Sequence, residues 1–302
     1  MVSDVLSGGR VLVLDGGLST ELESRGHDIS GRLWSAQLLM DAPDAVVAAH
    51  RAYLDAGADI VTTASYQASP EGFARAGVDL ATGSGLIRQS VLLALRAVEE
   101  SGRPALIAGS VGPYGAMLAD GSEYTGDYGD VGVDELRAFH RPRLELLAEA
   151  GVDLIAAETV PSLAEVEALL AELDRLGHPA WISLTTVGSR TRRGEPAAEA
   201  FALAASVPSV IAVGVNCTSP VGIGETVAVA HEASGKPVAV YPNSGEGWDA
   251  GRRAWTPAPP SQGLLLGDVD GWVTSGAQIV GGCCRVGPEQ IRAIAGVVSS
   301  TA

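Results

Sequence analysis

The stretch Tyr53-Leu54-Asp55-Ala56-Gly57-Ala58-Asp59-Ile60-Val61 returns later as Leu147-Ala148-Glu149-Ala150-Gly151-Val152-Asp153-Leu154-Ile155. Each copy begins as the end of an amphipathic helix and stops on glycine. It then passes a small apolar residue and an aspartate before turning apolar, as a helix feeding directly into a strand does. A chain that reuses this joint is building repeated βα units around a parallel sheet. Outward from the two joints, eight apolar segments read as strands: residues 11–15, 59–63, 105–110, 154–159, 180–185, 211–217, 238–243 and 278–283. They are near-continuous apolar runs, expected of strands covered on both faces. The helices between them include residues 44–56, 134–150 and 162–176, each opened by an acidic or hydroxyl residue and followed by glycine.

Eight such units in 302 residues is the usual content of a closed (β/α)8 TIM barrel. The expected fold is therefore α/β, one barrel domain over residues 1–302. The alternative, a doubly wound open sheet, needs a glycine-rich phosphate loop at its first crossover. Asp15-Gly16-Gly17-Leu18-Ser19 lacks that pattern, and Gly222-Ile223-Gly224 reads as a flexible helix start.

Composition narrows the function. A hydrophobic content of 46% supplies a large core, with Gly and Pro spread evenly along the chain. The first residues carry Asp4 and lack the basic start and apolar run of a secretion signal, and no window reaches the roughly 18 apolar residues of a membrane span. A soluble, cytoplasmic protein with no membrane partner is expected. The net charge of -16, with no run of five basic residues, argues against nucleic acid and is otherwise read as solubility. The one lysine, Lys236, precedes the seventh strand at the stability end of a barrel, which excludes a Schiff-base aldolase. Nothing in the sequence fixes the oligomeric state.

A barrel builds its active site from the carboxyl ends of its strands and the loops after them. That filter keeps Asp15, Thr63 with Tyr66 and Gln67, Glu158-Thr159, Asn216-Cys217, Tyr241 with Asn243, and Cys283-Cys284. All three cysteines of the chain are on this rim. An odd count in a reducing compartment is no disulfide framework. A lone free cysteine is usually a small buried hydrophobe, but three on one rim ask for another cause. Strands six and eight end about 9–10 Å apart at a neighbour spacing of about 4.8 Å, close enough for side chains to converge on one ion. Cys283 and Cys284 can share it only if the backbone turns there, a freedom that Gly281-Gly282 offers. Three thiolates suit Zn2+ and leave its fourth position open for substrate, as catalytic zinc requires. His27, His50, His140, His178 and His231 fall in loops, helices or strand entries and read as surface or core residues. A redox pair at Cys283-Cys284 competes with this reading but leaves Cys217 unexplained.

Taken together, several motifs resemble the homocysteine S-methyltransferase family. They are Asp15-Gly16-Gly17-Leu18-Ser19-Thr20-Glu21-Leu22-Glu23, Leu33-Trp34-Ser35-Ala36, Gly109-Ser110-Val111-Gly112-Pro113-Tyr114-Gly115, Gly214-Val215-Asn216-Cys217-Thr218-Ser219-Pro220, Tyr241-Pro242-Asn243-Ser244-Gly245-Glu246 and Gly281-Gly282-Cys283-Cys284-Arg285. They occur in the family's order, from residue 11 to about 295. The resemblance implies zinc held by Cys217, Cys283 and Cys284, and methyl transfer to the homocysteine thiol to give methionine. Residues 115–126 are similar to the subgroup whose donor is S-methylmethionine or S-adenosylmethionine rather than betaine. The chain departs from its relatives at Val187-Gly188-Ser189, where an Asp-Gly often precedes the arginine.

For the substrates, Glu158 is the expected partner of the homocysteine ammonium, with Asp15 as second acid. The amides at Ser110 to Gly112, or Thr218-Ser219, are candidates for the carboxylate, and Asn216 and Asn243 complete the polar set. A sulfonium is a cation that aromatic faces attract, which brings in Trp34 and Tyr66 first, then Tyr114, Trp248 and Trp255. Two alternatives stand: the same chemistry on a selenol such as selenocysteine, and a non-catalytic or redox barrel using Cys283-Cys284.

Overall fold

The computed structural model describes residue 6 and residues 8–29, 34–249, 254–256 and 268–301. Eight parallel strands form one sheet: β1 (Leu12–Val13), β2 (Ile60–Thr62), β3 (Leu106–Val111), β4 (Leu154–Val160), β5 (Ala180–Leu184), β6 (Val210–Asn216), β7 (Val238–Tyr241) and β8 (Ala277–Val280). The helices that follow them in turn are α1 (Pro43–Ala56), α2 (Leu80–Ser101), α3 (Val133–Glu149), α4 (Leu163–Leu176), α5 (Ala197–Ala205), α6 (Ile223–Ser234), α7 (Val269–Thr274) and α8 (Pro288–Thr301). Pairing runs β1-β8-β7-β6-β5-β4-β3-β2. A parallel bridge between Leu14 and Ile60 brings the two ends together into a nearly closed barrel. Every strand expected from the sequence forms. One boundary differs in a way that matters: β8 stops at Val280, so Cys283 and Cys284 lie in the turn beyond it rather than on the strand.

The repeated joint that decided the fold does one job twice. Gly57 and Gly151 end their helices at φ 108° and 93°, left-handed values that favour glycine. The Asp59 N–H then donates to the Val13 carbonyl at 2.7 Å, while the Asp59 carboxylate accepts from the Val13 N–H at 3.0 Å. Asp153 repeats both bonds on Ile107, at 2.9 and 2.7 Å. Each aspartate closes a reciprocal clasp on the preceding strand and so supplies an acceptor for that strand's amide. Lys236 is tied at the strand-entry end of β7, where its ammonium donates to the Val207 and Val210 carbonyls at 2.9 and 2.5 Å.

Alternation along the strands divides the core in two. On β4, Ile155 and Ala157 face the helices, while Leu154 and Ala156 face the barrel axis. The inner cluster also takes Leu12, Leu14, Ile60, Ala108, Trp181, Ala239 and Ile279. Trp181 is fully buried there, and its indole N–H donates to the Tyr241 hydroxyl at 3.0 Å. The same inward parity runs on to Ser110 on β3, Glu158 on β4, Asn216 on β6 and Tyr241 on β7, so the polar layer sits directly above the apolar filling. Among the described residues, no helix is long and apolar enough to cross a membrane.

Loops beyond the strands complete the upper end. After β3 come a helix, Tyr114–Leu118, and a 3-10 turn, Ser122–Tyr124. Buried Glu165 on α4 ties this loop down: it accepts from the Tyr114 N–H at 2.6 Å and the Tyr128 hydroxyl at 2.7 Å, and lies 2.9 Å from His140 Nε2 on α3. After β5 a hairpin pairs Thr186–Val187 with Arg190–Thr191.

Candidate metal centre and substrate cavity

Cys217 follows the last residue of β6, and its N–H donates to the Tyr241 carbonyl at 3.3 Å. The turn carrying Cys283 and Cys284 is closed by the Val286 N–H donating to the Cys283 carbonyl at 3.2 Å, and laced to β7 by Cys283 N–H to Pro242 O at 2.8 Å. The glycines before the cysteines sit where the sequence expected, but for another reason. Neither Gly281 nor Gly282 has a positive φ; the left-handed residue of the turn is Arg285, at 64°. Gly282 is small because a Cβ there would collide with the Val286 side chain, and Gly16 because a Cβ would strike the Val286 carbonyl. The Asp15-Gly16-Gly17 motif thus clears room for the cysteine turn across the β1–β8 neighbour contact.

The three sulfurs lie within 4.8 Å of one another, and Cys217 Sγ is 3.6 Å from Cys284 Sγ. That is too far for a disulfide, whose sulfurs sit about 2.0 Å apart. It is close to the edge of a tetrahedron with metal–sulfur bonds of about 2.3 Å, which is about 3.8 Å. The donor set therefore fits a metal. Hydrogen bonds from Cys283 and Cys284 hold the Cys217 thiol well below the usual range, and the same hydrogen bonding, together with burial, pushes theirs up. The thiolate that a metal would require is favoured at the most buried of the three sulfurs.

Backbone strain gathers here. Of the four described non-glycine residues with positive φ, Thr159 (63°), Cys217 (46°) and Arg285 (64°) adjoin the site; each such residue costs about 1–3 kcal/mol and persists only where neighbours enforce it. Asn216 braces Thr159 directly. Its carbonyl oxygen accepts from the Thr159 N–H and the Ser183 hydroxyl, both at 2.8 Å, and its amide donates to Thr159 Oγ1 at 2.8 Å. Asn216 is fully buried, both ends of its amide are engaged in the protein, and its NH2 also faces Cys283 Sγ at 4.0 Å. Asn216→Ala is expected to cost about 3 kcal/mol of stability, since it leaves the buried Thr159 N–H without its acceptor and removes a partner from the Thr159 and Ser183 hydroxyls. Chemical denaturation measures that loss.

A cavity of about 230 Å³ opens over the thiols, lined by Asp15, Thr62, Tyr66, Ser110, Glu158 and Tyr241 around the cysteines. Glu158 Oε1 accepts from the Ser110 hydroxyl at 2.5 Å, and burial raises its carboxyl to about 7. Asp15 accepts from the Thr62 N–H at 2.7 Å and is pushed well above the carboxylate range by burial, with Glu158 adding repulsion. Both acids are poised to gain from a cation entering between them. Tyr66 packs its ring on Gly112, where a Cβ would meet it at 2.7 Å, and buried Arg143 holds the Tyr66 and Gly112 carbonyls at 2.6 and 3.0 Å.

Other expected residues fall elsewhere. Tyr114 is outside the cavity lining, edge-on to Tyr128 and Phe139 at 5.3 and 5.0 Å. The Ser110 and Gly112 amides are already bonded to Thr63 Oγ1 and the Tyr66 carbonyl, which removes them as receptors for a carboxylate. Asn243 is half-buried outside the lining, its N–H donating to the Thr218 carbonyl at 3.0 Å. The side chains of Trp34, Trp248 and Trp255 lie outside the described part of the structure. Conversely, His27, assigned to surface or core, lines the outer cavity with Glu23. Tyr124 also lines the cavity and points its hydroxyl at Cys217 Sγ from 3.9 Å, a contact that no strand-end rule locates.

Comparison with known proteins agrees with this geometry. The homocysteine S-methyltransferase family profile matches residues 12–298. The chain is 42% identical to a homocysteine S-methyltransferase of Escherichia coli (strain K12), with 94% of each chain covered. It is 41% identical to a selenocysteine methyltransferase of Astragalus bisulcatus, covering 99% of this chain and 96% of that one. The fold superposes on the metallated form of the homocysteine methyltransferase MmuM from Escherichia coli with a TM-score of 0.86 at 39% identity, over 97% of this chain and 98% of that one. On the match across its length and on these relatives, the chain belongs to the homocysteine S-methyltransferase family.

Proposed function

We propose that this enzyme transfers a methyl group from a sulfonium donor, S-methylmethionine or S-adenosylmethionine, to the thiol of L-homocysteine, with zinc held by Cys217, Cys283 and Cys284. The observation that carries the reading is the convergence of three thiols at the floor of a cavity whose other polar wall is acidic. Zinc, when bound, supplies the Lewis acidity that keeps an incoming thiol deprotonated at neutral pH.

The chain's own groups do the rest. Glu158, oriented by the Ser110 hydroxyl, receives the substrate ammonium, and Asp15 is the second acid within the cavity. Tyr66 offers an aromatic wall beside the path of the cationic methyl group, an attraction worth about 0.5–2 kcal/mol. In the transfer itself the thiolate sulfur forms the new S–CH3 bond as the donor's S–CH3 bond breaks, and the bonding pair leaves with the donor sulfur. An anion and a cation become two neutral thioethers, so a site that sheds water favours the step. No general base takes part. A selenol acceptor fits the same chemistry, and the similarity to a selenocysteine methyltransferase supports testing it.

The experiment is a donor panel on protein purified without chelator. About one zinc per chain is expected, with methionine formed from homocysteine and either sulfonium donor but not from betaine. Selenocysteine is run in parallel as acceptor. Zinc-loaded protein that makes no methionine from any sulfonium would end the proposal.

A further inference from the structure

Both polar ends of Cys217 are held from outside the cysteine cluster. Its carbonyl accepts from Thr185 Oγ1 at 3.1 Å and from Arg192 Nη2 at 3.4 Å, and its sulfur receives the Tyr124 hydroxyl at 3.9 Å. Arg192 Nε donates to the same Thr185 hydroxyl at 3.1 Å, and its guanidinium carbon lies 5.8 Å from the Tyr124 ring centroid, within cation-π range. Thr185 and Arg192 flank the hairpin after β5, and Tyr124 ends the 3-10 turn after β3. Two separate connections therefore meet on Cys217, the residue held at φ 46°. Charge gives the arrangement a purpose. Three thiolates on a divalent ion are net anionic, and Asp15, Glu158 and buried Glu123 add acids nearby, whereas Arg192 sets a guanidinium against the ligand itself.

We propose that Arg192 and Tyr124 are positioning residues for Cys217. The guanidinium braces the phenol ring and the ligand's carbonyl, the phenol donates to the ligand's sulfur, and the pair keeps Cys217 in its strained, metal-ready conformation. They act through the ligand and not on the methyl group. The inference rests on the metal-binding reading but is independent of which thiol or donor the enzyme uses.

The test needs no substrate. The full chain and its variants are loaded with Co2+, and two quantities are followed: the thiolate-to-cobalt charge-transfer band and the rate of metal loss to a chelator. Tyr124→Phe keeps the ring beneath Arg192 and deletes only the hydroxyl. It should move the band to longer wavelength, as the sulfur becomes a stronger donor, and speed metal loss several-fold. Arg192→Gln should speed it about tenfold, the usual scale for groups behind a metal ligand. Arg192→Lys, keeping charge without the fork, should fall between Arg192→Gln and the parent. The double variant should exceed the larger single effect only slightly, since the two act as one unit. Thermal melting accompanies each measurement; if Arg192→Gln does not fold, Tyr124→Phe and Arg192→Lys carry the test. A parent band and loss rate in both Tyr124→Phe and Arg192→Lys would overturn the proposal. Failure of the parent chain itself to bind Co2+ would instead sink the metal reading on which it rests.

Discussion

Cys217→Ala, purified without chelator, is expected to retain no metal where the parent holds about one ion per chain, and to lose at least about a thousandfold in turnover. The remaining thiols, Cys283 and Cys284, are adjacent in one turn and cannot by themselves complete a three-ligand site open to substrate. Cys283→Ala and Cys284→Ala should behave alike, because each leaves a two-sulfur remnant. Metal analysis and methionine formation read the outcome, and far-UV circular dichroism should stay at parent level, since each substitution removes only one sulfur and leaves Val286, the core residue of the cysteine turn, in place. A single alanine variant that kept both its metal and its turnover would refute the three-ligand centre.

The second large effect is expected at Glu158. Glu158→Ala should raise the homocysteine KM about a hundredfold with metal still bound, in line with about 2–5 kcal/mol for deleting one side of a buried charged pair. Burial sets the carboxyl at about 7. Below that pH it is mostly neutral and a poor partner for an ammonium; above it the carboxylate predominates. The parent kcat/KM for homocysteine should therefore climb as pH rises through about 7, and Glu158→Gln should flatten the climb. A KM in Glu158→Ala equal to the parent's would take this residue out of the substrate site.

How far such a site can be read from a chain depends on what fixes each side chain. Counting βα units places every strand end, and that alone puts Cys217, Glu158 and the Cys283-Cys284 pair on the rim. The inward alternation of Leu154, Ala156 and Glu158, matched by Leu106, Ala108 and Ser110 on the next strand, was also open to reading, because strand parity is a local property. Where the chain leaves the strands the local rules end. Tyr124 lies in a long connection held by Glu165 and reaches Cys217 through tertiary packing, and Arg192 arrives at the end of a hairpin. Tyr114, named for its place in a motif, turned out to pack against Tyr128 and Phe139. The paired glycines before Cys283 marked the right turn, but close packing against Leu14 and Val286, not torsional freedom, explains them.

The twin aspartate clasps lie at the end of the barrel away from the sulfurs, holding Val13 to Asp59 and Ile107 to Asp153. These two clasps thus sit apart from the reactive end. A protein engineer who grafts new connections at the upper rim leaves these fasteners whole.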